Sequence, residues 1–201
     1  MLSLFLLIGL LQPALAQKPD SKTSRYIVAI GAYSPQSVYL LGKTPDTRTV
    51  FTYLGVGKQI ESPLSAFTLY RTFGIIPYIK YNYSKRDRNG NPDLASGYGI
   101  SPLGFEFLRS INSRTLVNTG ISSGIIFMNK FFPTDKARRL NYSFDLSLSL
   151  QRFISSSTSI SLGYRFHHIS NAQTGKQNPG IDSNFIFFTL KHHSNGYKSN
   201  Y

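Results

Sequence analysis

The sequence contains no cysteine. That single absence excludes a disulfide scaffold, a thiolate zinc site, a catalytic thiol and a lipidated N-terminal cysteine. Tryptophan is missing too, whereas 13 Tyr and 15 Phe are present, a bias toward strands rather than helices. Acids are scarce: nine Asp and Glu face 22 Lys and Arg, for a formal charge of +13. Such an excess calls for an anionic partner, either nucleic acid or an anionic membrane surface. No helix-turn-helix, zinc or aromatic RNA-binding signature accompanies the scattered cations, so the membrane is the expected partner and nucleic acid is not. Four His and few clustered acids give no convincing metal site.

Long apolar runs are also lacking, with one exception. The stretch "MLSLFLLIGLLQPALAQ" is apolar and ends in Ala14-Leu15-Ala16, the small-x-small pattern of a signal-peptidase site. It is too short for a comfortable membrane span and is closed by Gln12-Pro13. Residues 1–16 are therefore expected to be a cleaved signal peptide, and residues 17–201 a single exported domain. No later stretch approaches the ~20 consecutive apolar residues of a spanning helix.

What the mature chain does have is alternation. In "NYSFDLSLSLQ", residues 141–151, Tyr142, Phe144, Leu146, Leu148 and Leu150 share one face and Ser143, Asp145, Ser147 and Ser149 the other. Period two is shared by soluble sandwiches and membrane barrels, but a Ser-dominated polar face suits the interior of a small barrel. The spacing predicts strands over 25–34, 48–58, 66–83, 98–109, 115–128, 141–152, 158–170 and 183–192. The third, with Gly74 and Pro77 inside it, is expected to bend or split. Short turns at 110–114 and 153–157 alternate with longer links at 84–97, 129–140 and 171–182. An even strand count with short turns on one side and long loops on the other is the pattern of an outer-membrane barrel. The expected fold is thus an all-β, eight-stranded antiparallel transmembrane barrel. Two long links carry clustered cations: Lys85, Arg86 and Arg88, and then Lys130, Lys136, Arg138 and Arg139. Lipid phosphates and ordinary solvation are both open explanations for them.

One segment breaks the apolar pattern. Parity along residues 158–170 turns His168 and Ser170 outward, on the face shared with Leu162 and Tyr164, while His167 points inward beside Arg165. Across the following link, Asp182 shares parity with Ile186, Phe188 and Leu190. Residues two apart on a strand are ~6.6–6.8 Å apart along it, near enough for His and Ser side chains to lean together. Ser, His and an acid can perform acyl transfer, and polar groups facing hydrocarbon are costly enough to suggest function. A polar girdle at the interface remains open on spacing alone. The related group His192, His193, Ser194 and Asn195 lacks a following acid, sits at the opposite strand end, and reads as a polar tail.

The stretch "HISNAQTGKQNPGID", residues 168–182, resembles the active-site segment of the lipid A 3-O-deacylase family, acyloxyacyl-hydrolase-like outer-membrane barrels. In that family His-x-Ser-Asn-Ala is followed, after a short loop with an Asn, by Gly-x-Glu. The segment aligns without gaps, and "GYGISPLGFEF" is similar to the family's central strand. The resemblance implies Ser170 as nucleophile, His168 as base and Asp182 as the orienting acid. It implies an oxyanion hole from the amides of Asn171 and Asn178 and a backbone N–H at Gln173, where the family has Gly. Asp182 replaces the usual Glu and, being one methylene shorter, is expected to need a strand shift or a water to reach His168. The implied function is an outer-membrane serine esterase cleaving an ester-linked acyl chain of lipid A in lipopolysaccharide, without a cofactor, with Lys130, Lys136, Arg138 and Arg139 facing the substrate's phosphates. Outer-membrane lipids are the other partners, and a homodimer is left open. Two readings compete: a non-enzymatic structural or adhesive barrel, and a barrel phospholipase.

Overall fold

The computed structural model describes residues 24–86 and 92–194. The leader expected at 1–16 and the side chains of Lys85, Arg86 and Arg88 lie outside them. The strands are β1 (Arg25–Ser34), the two-residue β2 (Ser37–Val38), β3 (Arg48–Ile60), β4 (Thr68–Arg86), β5 (Pro92–Asn112), β6 (Thr115–Phe132), β7 (Arg138–Phe153), β8 (Thr158–Ser170) and β9 (Ile181–His193). Each long strand pairs antiparallel with the next, and β1 pairs with β9 from Tyr26↔His193 to Tyr33↔Ile186. The sheet is therefore closed, an eight-stranded barrel in which every strand edge has a neighbour. Closure is what hydrocarbon demands, because backbone N–H and C=O groups find no water there.

Side-chain parity follows the sequence. On β7, Leu140, Tyr142, Phe144, Leu146, Leu148 and Leu150 face outward, and Asn141, Ser143, Asp145, Ser149 and Gln151 are buried inside. Ten residue steps between Leu140 and Leu150, on a strand tilted as barrel strands are, match an apolar band of about 25 Å.

Several elements differ from expectation. Six of the eight strands run further than their local composition indicates, so the link expected at 129–140 shrinks to residues 133–137 and that at 84–97 to the stretch between Arg86 and Pro92. A ladder already in register extends cheaply into polar residues, which local propensity undervalues. The strand holding Gly74 and Pro77 is not split. It stays continuous and absorbs the irregularity as register shifts against β5 between Thr72 and Gly74 and between Ile76 and Ile79, the usual accommodation of a residue with no N–H.

The interior is more aromatic than the Ser-rich face of β7 suggests. Phe185 and Phe187, whose parity is ambiguous in sequence, turn inward and pack with Phe51, His167 and Arg165. Tyr81 and Tyr83 close on Phe132 nearer the rim. Charges inside are paired: Lys191 Nζ bonds Glu106 Oε2 at 2.5 Å, and Tyr26 donates to the same oxygen at 2.6 Å. The void beside Glu106 and Arg165 measures about 30 Å³, room for about one water. Among the described residues the lumen is a packed core, as small barrels require.

Past Ser34 the chain leaves β1, and β2 takes over the exposed edge of β9, pairing Ser37↔Ser183 and Val38↔Asp182. Ser34 Oγ accepts from Asn184 N at the changeover. This brings residues 39–47 onto the rim where β8 ends and β9 begins.

Candidate active site

Register decides what the rim holds. β8 and β9 pair so that His168 lies directly opposite Asp182, both on the outward face. Their side chains meet: His168 Nδ1 is 2.6 Å from Asp182 Oδ1. On the other side of β8, His168 is opposite Phe144 and Ser170 opposite Tyr142, both members of the outward apolar band. The group thus sits on the outer wall, near the upper edge of that band.

The shorter acid needs neither a strand shift nor a water. Its second oxygen, Oδ2, accepts the backbone N–H groups of Leu40, Leu41 and Gly42 at 2.9, 2.6 and 2.8 Å. Three successive N–H donors on one oxygen form a concave anion nest, which stabilises the carboxylate form. An ionised Asp182 can only accept. Nδ1 of His168 must therefore carry a proton, and in the neutral ring Nε2 is then the acceptor on the opposite side.

Two glycines make the contact possible. Gly42 lies so close to the backbone of Gly180 and Ile181 that a Cβ would stand 2.8 Å from Ile181 N. Gly180 has φ +63°, and a Cβ there would stand 2.9 Å from Cε1 of His168. The imidazole is thus held against bare backbone. Lys43 N→Pro179 O at 2.7 Å and Thr44 Oγ1→Gly180 O at 2.7 Å fasten the two segments together.

The expected oxyanion donors divide. Asn171 is fully buried and occupied by its own loop: its N–H donates to Asn178 Oδ1 (2.8 Å), its Nδ2 to Gln177 O (2.7 Å), and its C=O accepts from Thr174 N and Oγ1. It braces the loop. Asn178 uses only its Oδ1 in this way, so its amide N–H groups stay available. Ala172 and Gln173 have φ +50° and +63° at the tip of the 171–174 turn. The position where the resemblance expects Gly is therefore left-handed, a conformation in which a side chain is strained.

The four expected phosphate ligands also divide. Lys130 does not face the lipid. It has the parity of Met128 and Phe132 and bonds Asp93 Oδ1 at 2.5 Å, because its place on β6 falls on the inward register that strand extension created. Arg138 Nε donates to Thr174 O at 2.9 Å, and Lys136 O accepts from Gln177 N at 3.1 Å, so the 134–138 turn braces the 171–178 loop. Arg139 lies over the Phe131 ring at 5.8 Å. The side chains of Lys136 and Arg139 are exposed.

Of the remaining histidines, His167 points inward as expected, between Asp145 Oδ1 (2.8 Å) and Tyr81 OH (3.0 Å). His193 is not part of a polar tail. It is buried at the lower end, bonded to Ser159 Oγ and packed on Phe153; Asn195 lies outside the described residues. Among the described residues no group of three His, Asp or Glu could hold a metal. Sequence reasoning overlooked residues 39–42. The available signal was an apolar triplet, Tyr39-Leu40-Leu41, standing outside any strand.

Comparison with known proteins agrees with this architecture. The family described as lipid A 3-O-deacylase (PagL) matches residues 52–191. No curated protein matches the chain. Among solved structures, Neisserial surface protein A is similar with a TM-score of 0.58 and 11% identity, over 84% of this chain and 96% of that one. The outer membrane enzyme PagL is similar with a TM-score of 0.53 and 17% identity, over 82% and 97% respectively. At such identities the structural likeness concerns the fold, a small outer-membrane barrel.

Proposed function

The chain belongs to the lipid A 3-O-deacylase family, and from that membership we propose that it is a serine esterase working from the outer wall of its barrel on an ester-linked acyl chain of lipid A. Ser170 Oγ attacks the ester carbonyl carbon while Nε2 of His168 takes its proton. The resulting oxyanion is met by the Asn178 amide and the Gln173 N–H. Collapse expels the sugar hydroxyl, which regains the proton from His168, and leaves an acyl group on Ser170. Water, deprotonated by the same Nε2, then releases the fatty acid. Each proton abstraction needs a neutral His168 with its proton on Nδ1, and each collapse returns the proton from the imidazolium so formed.

The observation that carries this reading is the 2.6 Å contact between His168 Nδ1 and an Asp182 whose other oxygen is saturated by N–H donors. An interface girdle has no use for a carboxylate so fully committed on the lipid side. The test is mass spectrometry of lipid A and phospholipids from cells with and without the protein, and with Ser170→Ala. Loss of one ester-linked chain from lipid A, abolished in Ser170→Ala while the barrel stays folded, is expected. Fatty acid lost from phospholipids instead indicates a phospholipase, and no change in either lipid pool a structural barrel. Full activity in Ser170→Ala refutes the serine mechanism.

A further inference from the structure

Residues 39–42 do two things at once. Their N–H groups hold Asp182 Oδ2, and their side chains are the most conspicuous apolar group on the rim: Tyr39, Leu40 and Leu41 are 67, 72 and 57% exposed. Apolar residues that exposed in a connecting loop are unusual in water. Here the loop lies against β9 at Asp182, in line with Phe144 and Tyr142 of the outward band. It is also dressed for hydrocarbon. The N–H groups of residues 40–42 are taken by the carboxylate and that of Lys43 by Pro179 O, so four successive backbone donors are paired where water is absent. Exposed Lys43 follows immediately, placed to leave the apolar layer for the headgroups as lysines at such borders do.

We propose that the Tyr39–Gly42 turn is a bilayer-seated positioning loop: its side chains lie in the hydrocarbon of the outer leaflet, and that seating keeps its N–H nest on the triad acid. Leu40 and Leu41 thereby act on the reaction through Asp182 and not through the acyl chain being cleaved. The proposal rests on the triad reading above. A consequence is that the enzyme is fully ordered only in a membrane: lifting the loop from the apolar layer exposes three leucine and tyrosine side chains to water and loosens the acid with them.

The chain has no Trp, so Leu40→Trp supplies a single indole at the tip of the loop, excited selectively at the red edge where the tyrosines do not absorb. In vesicles of phosphatidylcholine brominated near the top of the acyl chains, its emission should be strongly quenched relative to unbrominated vesicles. Unquenched, water-like emission overturns the seating. The second arm is a cycle of Leu40→Ser with Leu41→Ser against Asp182→Asn, in folded, reconstituted barrel. The loop variant should lower kcat by about tenfold or more, as misplacement of a catalytic group does, and weaken the deshielded Nδ1–H proton resonance of His168. In the Asp182→Asn background the same loop change should add almost nothing. Losses that multiply place the leucines on the substrate instead and overturn the proposal, as does a fully active loop variant beside an impaired Asp182→Asn. A fully active Asp182→Asn sinks the triad reading and this proposal together. Quenching with intact coupling supports it even if one loop variant folds poorly, since Leu40→Trp keeps the loop apolar.

Discussion

At position 182 the acid is one methylene shorter than the family's usual Glu, and the loop comes to meet it. Asp182 has an N–H nest on one oxygen and His168 on the other, so its two neighbours demand opposite things of an amide. In Asp182→Asn the nest selects the amide oxygen, the NH₂ then faces His168, and the imidazole must accept at Nδ1. That places the ring proton on Nε2, where it blocks proton transfer from Ser170. We expect kcat to fall on the order of 10⁴-fold, the size of the wrong-tautomer effect in other triads, with lipid A release measured against folded barrel. Asp182→Glu, which sequence comparison alone favours as a restoration, should lose activity by about 10²-fold, because an added methylene displaces either the ring or the nest by roughly 1 Å. Wild-type turnover in Asp182→Glu would show that the nest can yield. Gly180→Ala is predicted to match that loss. Its Cβ would stand 2.9 Å from Cε1 of His168 at φ +63°, and a His168 resonance unchanged in that variant counts against this placement.

At the scale of elements, the active loop is held by its neighbours. The 171–178 loop closes on itself through Asn171 and Asn178 and is bolted to the β6–β7 turn by Arg138 and Lys136. Cations that look alike in sequence should therefore behave differently. Arg138→Gln frees Thr174 O and should slow cleavage of lipid A and of a small neutral ester alike. Lys136→Gln with Arg139→Gln should weaken action on phosphorylated lipid A while sparing the neutral ester, since these two side chains are exposed on the same rim. Lys130→Gln, paired inward with Asp93, should change neither rate. Parallel kinetics on the two substrates separate the three outcomes; equal loss from all of them would indicate general loosening of the rim.

For the whole molecule, stability depends on a lumen that is packed and ion-paired. Lys191 is buried and meets Glu106, which also accepts from Tyr26. Glu106→Gln strands the buried ammonium and should cost about 3–5 kcal/mol, read as a shift in urea unfolding of the lipid-reconstituted barrel. Lys191→Met together with Glu106→Gln should recover most of that loss, because removing both charges leaves none uncompensated. If the double variant is as unstable as the single one, packing rather than charge dominates there. Catalysis by the folded fraction should be unaffected, because the pair lies inside the wall and toward the strand ends opposite His168.

The alternation of β7 and β8, the all-β composition and the absence of Cys and Trp were sufficient to place eight strands, two of them, Arg25–Ser34 and Thr158–Ser170, at their observed limits. Period-two parity is a local property, so it also turned His168, Ser170 and Asp182 outward and His167 inward before any fold was known. What alternation could not supply was anything depending on which strands are neighbours. The pairing of His168 with Asp182, the inward turn of Phe185 and Lys130, and the lengths of β4, β5 and β6 follow from register and ladder extension across the closed sheet. The N–H nest is furthest from legibility. It joins residues 40–42 to a side chain some 140 positions away, through backbone groups that every residue carries, and only closure of β1 and β2 onto β9 brings them together.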